Sequence, residues 1–332
     1  MTDIAQLWLP DAKKTQLAGK SLAHSLYSLP VTIILKGDLG AGKTTFLQGF
    51  AKKLGISQHL TSPTYALEQR YQTLKHGELL HLDCYRLTEQ QAQEIAESSD
   101  NHDGIRCIEW GERISANIDY PHLVIKLDDE CDKGRNLEIE FNDIPLPSRE
   151  DIENWRSEMK LPEHIAQHCD AVANFAEELS RKLIVKGVIV RPLAVKRSAQ
   201  LHDLMRFIDF RFGSSSGNRE QPQEVLNLWN EWINKYKGHT HETVCAMVIR
   251  EKGYPQIAQI VESHGLNVEN PPNMTIEQKI LFYADKRVVM TKVVSLEERF
   301  ADFRERYAGG KETEFATRWY EISKGIEEEL LH

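Results

Sequence analysis

Apolar residues in the first half of the chain fall in short runs separated by helix-compatible stretches. Val31 to Lys36, Glu78 to Asp83, Ile105 to Trp110, Leu123 to Leu127 and Leu137 to Phe141 each have the apolar density of a strand. Phe46, Leu47, Phe50 and Leu54 recur at helical spacing, with Gly55 placed as a stop. The last two strands flank a turn around Asp132-Lys133-Gly134, so they are expected to pair as a hairpin at the sheet edge. Pro145-Leu146-Pro147-Ser148 then suits a linker. Beyond it the pattern is helical almost throughout, broken by Gly213 to Gly217, a Gly-Ser-Ser-Ser-Gly stretch expected to be a flexible loop. The prediction is an α/β domain over 1–147, a linker over 148–160 and an all-α bundle over 161–332.

Composition adds limits. A chain of 332 residues with 41% hydrophobic content can bury two cores. The net charge of -9 gives no general attraction to nucleic acid, so any RNA contact would need a local basic patch or a partner protein. Cys84, Cys107, Cys131, Cys169 and Cys245 form no C-x-x-C pair, which argues against a zinc ribbon or disulfide framework. No apolar run approaches the ~20 residues that cross a bilayer. The expectation is a cytoplasmic protein with reduced thiols and no membrane contact.

Between the run Val31 to Leu35 and the Phe46 helix lies Gly37-Asp38-Leu39-Gly40-Ala41-Gly42-Lys43-Thr44, a complete G-x-x-x-x-G-K-T phosphate-binding loop. A strand ending at Gly37 and a helix starting at Lys43 turn the loop N–H groups inward, where they can hold the phosphates of ATP or GTP. Lys43 would reach the β- and γ-phosphates and Thr44 would bind Mg2+. Such a site also needs carboxylates at the carboxyl ends of neighbouring strands, to hold the metal and to position water. Asp83 and Glu109 end two of the predicted strands.

Four ordered motifs now stand together: Gly37 to Thr45, Ser62-Pro63-Thr64-Tyr65, His81 to Leu87 and Ile108-Glu109-Trp110. Over residues 5–142 they resemble TsaE, the bacterial P-loop ATPase that supports threonylcarbamoyl modification of adenosine 37 in tRNA. The resemblance implies that Thr44 and Glu109 handle Mg2+, that Asp83 assists hydrolysis or metal binding and that Thr45 contacts nucleotide. It places Thr64 in a switch-like loop and Trp110 near the site. It also implies protein partners similar to TsaB and TsaD, which carry the transferase chemistry.

The second half holds a different constellation. His168, His202-Asp203, His241, His264 and Asp285 lie on apolar faces of helical segments and would point into one interior. A single buried histidine is usually satisfied by a carbonyl, but unpaired buried carboxylates cost several kcal/mol. A metal cluster removes that cost. The order resembles the HD-domain metal-dependent phosphohydrolases over residues 161–308. This implies that His168, His202, Asp203 and Asp285 hold one ion and that His241 and His264 hold a second, with Asp203 bridging. Histidine-rich ligation suits Fe or Mn. Gly265 stands where families with a doubled histidine have a second imidazole. The 211–238 stretch, with Trp229, Trp232, Lys235 and Lys237, is a candidate lid or packing helix. Arg191, Lys196, Arg197, Arg206, Lys286 and Arg287 are nearby cations, of which Lys286 and Arg287 are the better candidates for a phosphate.

The expected fold is thus an α/β P-loop NTPase domain followed by an all-α HD bundle. The expected function is bifunctional: ATP hydrolysis in support of tRNA modification, and hydrolysis of a nucleotide or related phosphate ester. Two alternatives are a non-catalytic nucleotide sensor in the HD half that regulates the ATPase, and a small-molecule kinase–phosphatase pair.

Overall fold

The computed structural model describes every residue except 1, 64–65, 115–117, 119, 131–132, 211–220, 266–272, 309–312 and 332. Thr64, Tyr65, Cys131, Asp132 and the Gly213 to Gly217 stretch therefore lie outside the described residues. The chain forms two compact units. One comprises Thr2–Pro145 with Arg181–Pro192, the other Leu146–Ser180 with Leu193–His332.

The first unit is built in the order β1 (Asp3–Leu9), α1 (Ala12–Leu22), β2 (Val31–Lys36), α2 (Lys43–Lys53), β3 (Glu68–Gln72), β4 (Glu78–Asp83), α3 (Glu89–Ser98), β5 (Ile105–Glu109), β6 (His122–Asp129) and β7 (Arg135–Asn142). Its seven-stranded sheet has the order β1-β7-β6-β2-β5-β4-β3. The four central strands β6, β2, β5 and β4 are parallel, and β1, β7 and β3 add antiparallel margins. All five predicted strands are present, although the third stops at Glu109. Trp110 leaves it in the left-handed region at φ 63°.

Two strands escaped the pattern, and both are edges. β3 (Glu-Gln-Arg-Tyr-Gln) offers only Tyr71 as an apolar buried residue. β1 alternates strictly, with Asp3, Ala5, Leu7 and Leu9 inward, but exposed Ile4 and Trp8 blur its polar phase. Because β1 pairs along the whole of β7, the β6–β7 hairpin is not at the sheet margin as expected. The core gathers Ile33, Leu35, Phe46, Phe50, Leu123, Ile125 and Ile139 between the sheet and the α1–α2 pair. Ile189, from the late segment, is buried in the same cluster. Arg191 from that segment is fully buried and bonds Asp143 through Nε at 3.2 Å and Nη2 at 2.5 Å. It is thus a structural cation of the first unit and not a phosphate ligand of the histidine cluster.

The second unit consists of α4 (Arg149–Glu158), α5 (Glu163–Val185), α6 (Pro192–Leu201), α7 (Gln223–Lys235), α8 (His241–Glu251), α9 (Pro255–Glu262), α10 (Ile276–Arg287), a hairpin of β8 (Val288–Val289) and β9 (Lys292–Val293), α11 (Leu296–Ala308) and α12 (Glu314–Leu331). The segment expected as a linker carries α4. Ser148 caps it with a reciprocal Ser148–Asp151 box, and Ile152 and Trp155 bury one face, which is why it folds as part of the bundle. α7 is a packing helix: Trp229 is 2% exposed, stacks on Phe207 at 5.3 Å and donates its Nε1–H to Met159 O at 3.0 Å. The β8–β9 hairpin was not anticipated by a helical pattern of this period.

Candidate functional site

The loop in the first unit follows from its strand. β2 ends at Lys36 beside β5 and β6, and the chain must turn sharply there. Gly37 does so at φ +131°, where a Cβ would lie 2.2 Å from Leu127 O. Only glycine fits. Gly42, at φ +103°, starts α2, whose free N–H groups face the loop. Ala41 is buried, whereas Asp38 and Gly40 are exposed and Thr45 is half-buried on the first turn of α2. Lys43 donates to Gly37 O at 2.5 Å and Asp38 O at 2.9 Å, so its ammonium is tied across the loop mouth. Burial lowers its pKa, and the nearby carboxylates Glu109, Glu112, Asp83 and Asp38 oppose that shift.

Asp83 and Glu109 are register partners on adjacent parallel strands. Thr44 Oγ1 lies 2.9 and 3.0 Å from the two Glu109 oxygens, and His81 Nε2 is 3.0 Å from Oε1. Asp83 accepts a hydrogen bond from Ser62 Oγ and another from Tyr85 N at 2.9 Å. Both carboxylates are 2% exposed. Trp110 is half-buried, with Lys43 Nζ 4.0 Å from its ring centroid and Tyr85 at 4.8 Å. It borders the site. The donor set of one hydroxyl and two buried carboxylates is all oxygen, which suits Mg2+.

In the second unit all six expected side chains meet. His168 Nε2 and His202 Nε2 lie 3.3 and 3.5 Å from Asp285 Oδ1. Asp203 Oδ1 is 3.0 Å from His241 Nε2 and 3.8 Å from His264 Nε2, while its Oδ2 is 3.7 Å from His202 Nε2. Two ligand groups result, His168–His202–Asp285 and Asp203–His241–His264, with Asp203 between them. α5 contributes His168, α6 ends just before His202-Asp203, α8 begins with His241, α9 is followed by His264 and α10 carries Asp285.

The outer ring nitrogens decide how these imidazoles face. His168 Nδ1 is 2.9 Å from Met290 O on the β8–β9 turn, His202 Nδ1 is 2.7 Å from Ala199 O and His264 Nδ1 is 2.5 Å from Val261 O. A carbonyl can only accept, so each Nδ1 carries the proton and each Nε2 turns its lone pair inward. His241 Nδ1 is held by Asp209 Oδ2 at 2.5 Å and Glu242 Oε2 at 3.2 Å. The inner atoms are then four lone pairs and two carboxylates. His202 Nε2 is buried without a hydrogen-bond partner. Such a set needs a cation, and nitrogen-rich donors with two carboxylates fit a transition metal.

Electrostatics agree. Against the upward pull of burial, His202, His241, His264 and Arg206 hold Asp203 well below the usual carboxylate range. Lys286, His168 and His202 do the same for Asp285. Lys286 Nζ donates to Asp285 Oδ2 and, at 3.3 Å, to His264 O. Arg287 turns instead to Val294 O, Tyr283 and Glu327. Lys196 pairs with Glu177 and Arg197 with Gln200. Arg206 Nη1 sits 2.9 Å from His241 Nε2. Asp209 and Glu242 were missed as functional candidates because neither belongs to the His-Asp order. The only signal was their spacing, Asp209 within a turn of Arg206 and Glu242 next to His241.

Two family models match the chain. A model for threonylcarbamoyl adenosine biosynthesis protein TsaE matches residues 9–137, and an HD domain model matches 165–290. The TsaE of Synechocystis is 38% identical over 114 residues, covering 33% of this chain and 71% of that protein. The TsaE of Haemophilus influenzae is 32% identical over 138 residues, covering 40% and 86%. A crystal structure of Bacillus subtilis YdiB aligns over 43% of this chain and 88% of its own, at 25% identity and a TM-score of 0.36. With relatives of this identity spanned over more than two thirds of their length, the chain belongs to the family of the tRNA threonylcarbamoyladenosine biosynthesis protein TsaE and continues into an HD domain.

Proposed function

We propose that this chain is a bifunctional phosphohydrolase. Its first unit hydrolyses ATP with Mg2+ in support of tRNA threonylcarbamoyladenosine formation, together with partners of the TsaB and TsaD kind. Its second unit hydrolyses a nucleotide or related phosphate ester with one or two Fe or Mn ions. The single observation that carries the second activity is the convergence of His168, His202 and Asp285 with Asp203, His241 and His264, a nitrogen-rich donor set with two carboxylates that suits a bound cation.

In the ATP site the loop N–H groups and Lys43 bind the phosphates, and Thr44 with Glu109 holds Mg2+, which would neutralise charge on the β- and γ-phosphates. His81 fixes the Glu109 carboxylate by donating to it. Asp83, itself oriented by Ser62 and Tyr85 N, is aligned to accept a proton from water or to hold water on the metal. In the HD site His168, His202, Asp203 and Asp285 would hold one ion, and His241 and His264 with Asp203 the second. The ions supply Lewis acidity and a water of lowered pKa. Arg206 and Lys286 are the cations positioned to receive phosphate oxygens.

The test uses the full chain. Metal-loaded protein is assayed for phosphate release across nucleotides and dinucleoside polyphosphates, beside His202→Ala with Asp203→Ala and, separately, Lys43→Ala. The reading expects the double variant to lose bound metal and the HD activity while ATP hydrolysis persists, and Lys43→Ala to do the reverse. An unchanged profile in the double variant would sink the HD reading. Restoration of tRNA modification by the full chain with TsaB, TsaD and their threonylcarbamoyl donor, and its loss in Lys43→Ala, tests the first half.

A further inference from the structure

The phosphate loop rests against the β6–β7 hairpin at two points. One is the contact of Gly37 with Leu127 O already described. The other is Gly42. A Cβ on Gly42 would lie 2.4 Å from Arg135 Nη1, 3.3 Å from its Cζ and 3.5 Å from its Cδ. The guanidinium therefore abuts the last glycine of the loop, with Nη1 nearest, immediately before Lys43.

Arg135 is the first residue of β7 and is fixed on both sides, pairing with Leu9 of β1 and Asp129 of β6. Gly134, at φ +127°, leads into it through a turn so tight that a Cβ there would meet Trp8 Cζ2 at 2.7 Å and Leu9 O at 2.9 Å. The arginine is thus presented from rigid backbone and not from a mobile loop. Its Nε is buried and has no hydrogen-bond partner among the described residues. Although Asp129 is its cross-strand neighbour, Arg135 forms no ion pair among the described residues. A buried N–H without an acceptor costs about 1–3 kcal/mol, and a bound ligand beside it would remove that cost. The adjoining loop is built to hold a polyphosphate, whose oxygens match the planar fork of a guanidinium. Lys43, by contrast, already has two loop carbonyls as partners.

We infer that Arg135 is a second phosphate-binding cation of this nucleotide site, supplied in cis from β7 to the di- or triphosphate held by the loop. This rests on the ATP-site reading above. Glycine at 42 then has two tasks, a positive φ and room for the guanidinium beside the phosphates.

The experiment measures ADP and ATP affinity by calorimetry for the full chain, for Arg135→Ala and Arg135→Lys, with Lys43→Ala as the reference. Circular dichroism checks that each variant is folded. Arg135→Ala is expected to weaken both nucleotides by about 10- to 100-fold, the range of a charge-assisted hydrogen bond, and to flatten the salt dependence of binding. Arg135→Lys keeps the charge without the fork and is expected to fall between. In the unaltered chain, ADP is expected to protect Arg135 from phenylglyoxal, read by peptide mapping, which needs no variant to fold. If Lys43→Ala loses ADP while folded Arg135→Ala and Arg135→Lys bind within twofold of the original, or if ADP gives no protection, Arg135 is overturned and the ATP site stands. If the unaltered chain binds neither nucleotide, both fall together.

Discussion

Glu242 occupies the room that a side chain at Gly265 would need. A Cβ at 265 would lie 2.6 Å from Glu242 Cγ, 2.9 Å from its Cβ and 3.0 Å from its Cδ. The position where a second imidazole could follow His264 is closed by a carboxylate side chain that instead approaches His241 Nδ1. Gly265→Ala is therefore expected to destabilise the second unit by about 1–3 kcal/mol, the usual cost of overpacking. Adding Glu242→Ala removes the Cγ and Cδ contacts and should recover part of the loss. Thermal denaturation of the two variants checks this; an unchanged midpoint in Gly265→Ala would contradict the packing.

The Thr44–Glu109 pair predicts a separation of binding from hydrolysis. Glu109→Gln preserves the shape that meets Thr44 and His81 but removes the charge offered to Mg2+. ATP turnover is expected to fall by about 100-fold or more, the scale seen when a positioned acid or base is lost. ADP binding without Mg2+ should stay within a few fold. Equal loss of both would mean that Glu109 shapes the loop and does not handle the metal.

Metal uptake by the histidine cluster should release protons. Burial pulls His202 down, but Cys169, Asp203 and Asp285 together raise it well above its ordinary value. His241 is also raised, by Asp203 and Asp209 against burial. Both imidazoles therefore hold a second proton to higher pH than a free imidazole does, and an incoming ion must displace any such proton. Mn2+ titrations at pH 7 in buffers of different ionisation enthalpy should give a positive release, shrinking as pH rises above the raised values. Affinity should fall steadily as pH drops. A heat independent of buffer would count against this arrangement.

The described thiols should be silent in the native protein. Cys84, Cys107, Cys169 and Cys245 are free and buried. Burial, with Asp83 beside it, pushes the Cys84 thiol up to about 11, and burial raises Cys107 and Cys245 as well. Because the folded value of Cys84 lies above its unfolded one, its contribution to stability is complete below pH 9 and is lost as pH climbs through about 11. A disulfide exchange reagent at pH 8 should label them only after denaturant is added. Prompt reaction of Cys84 would show that its pocket opens.

Much of both sites could be read from the chain because each rests on residues whose type is dictated by chemistry. Gly37, Gly42, Lys43 and Thr44 are fixed by backbone geometry and phosphate charge, and the His-Asp order is set by the ligands a metal accepts. What escaped depends on neighbours distant in sequence. β1 and β3 are edges, so only one margin of each is paired and their patterns are weak. Asp209, Glu242 and Arg135 act by touching another side chain or a glycine. No local spacing announces that a β7 arginine will lie on a loop that follows β2. Arg191 was misassigned for the same reason: its sequence position is near the histidine cluster, yet its partner Asp143 belongs to the sheet unit.

The late segment Arg181–Pro192 has a consequence for how this protein comes off the ribosome. Ile189 completes the core of the sheet unit, and Arg191 neutralises its buried Asp143. Domains generally fold as units during synthesis, the N-terminal one first. When β7 emerges, Asp143 is still without the Arg191 guanidinium that pairs with it. That partner is made only after α5, which begins in the other unit. The sheet unit therefore gains Ile189 and its buried ion pair only after the helix that leads out of the other unit has been made.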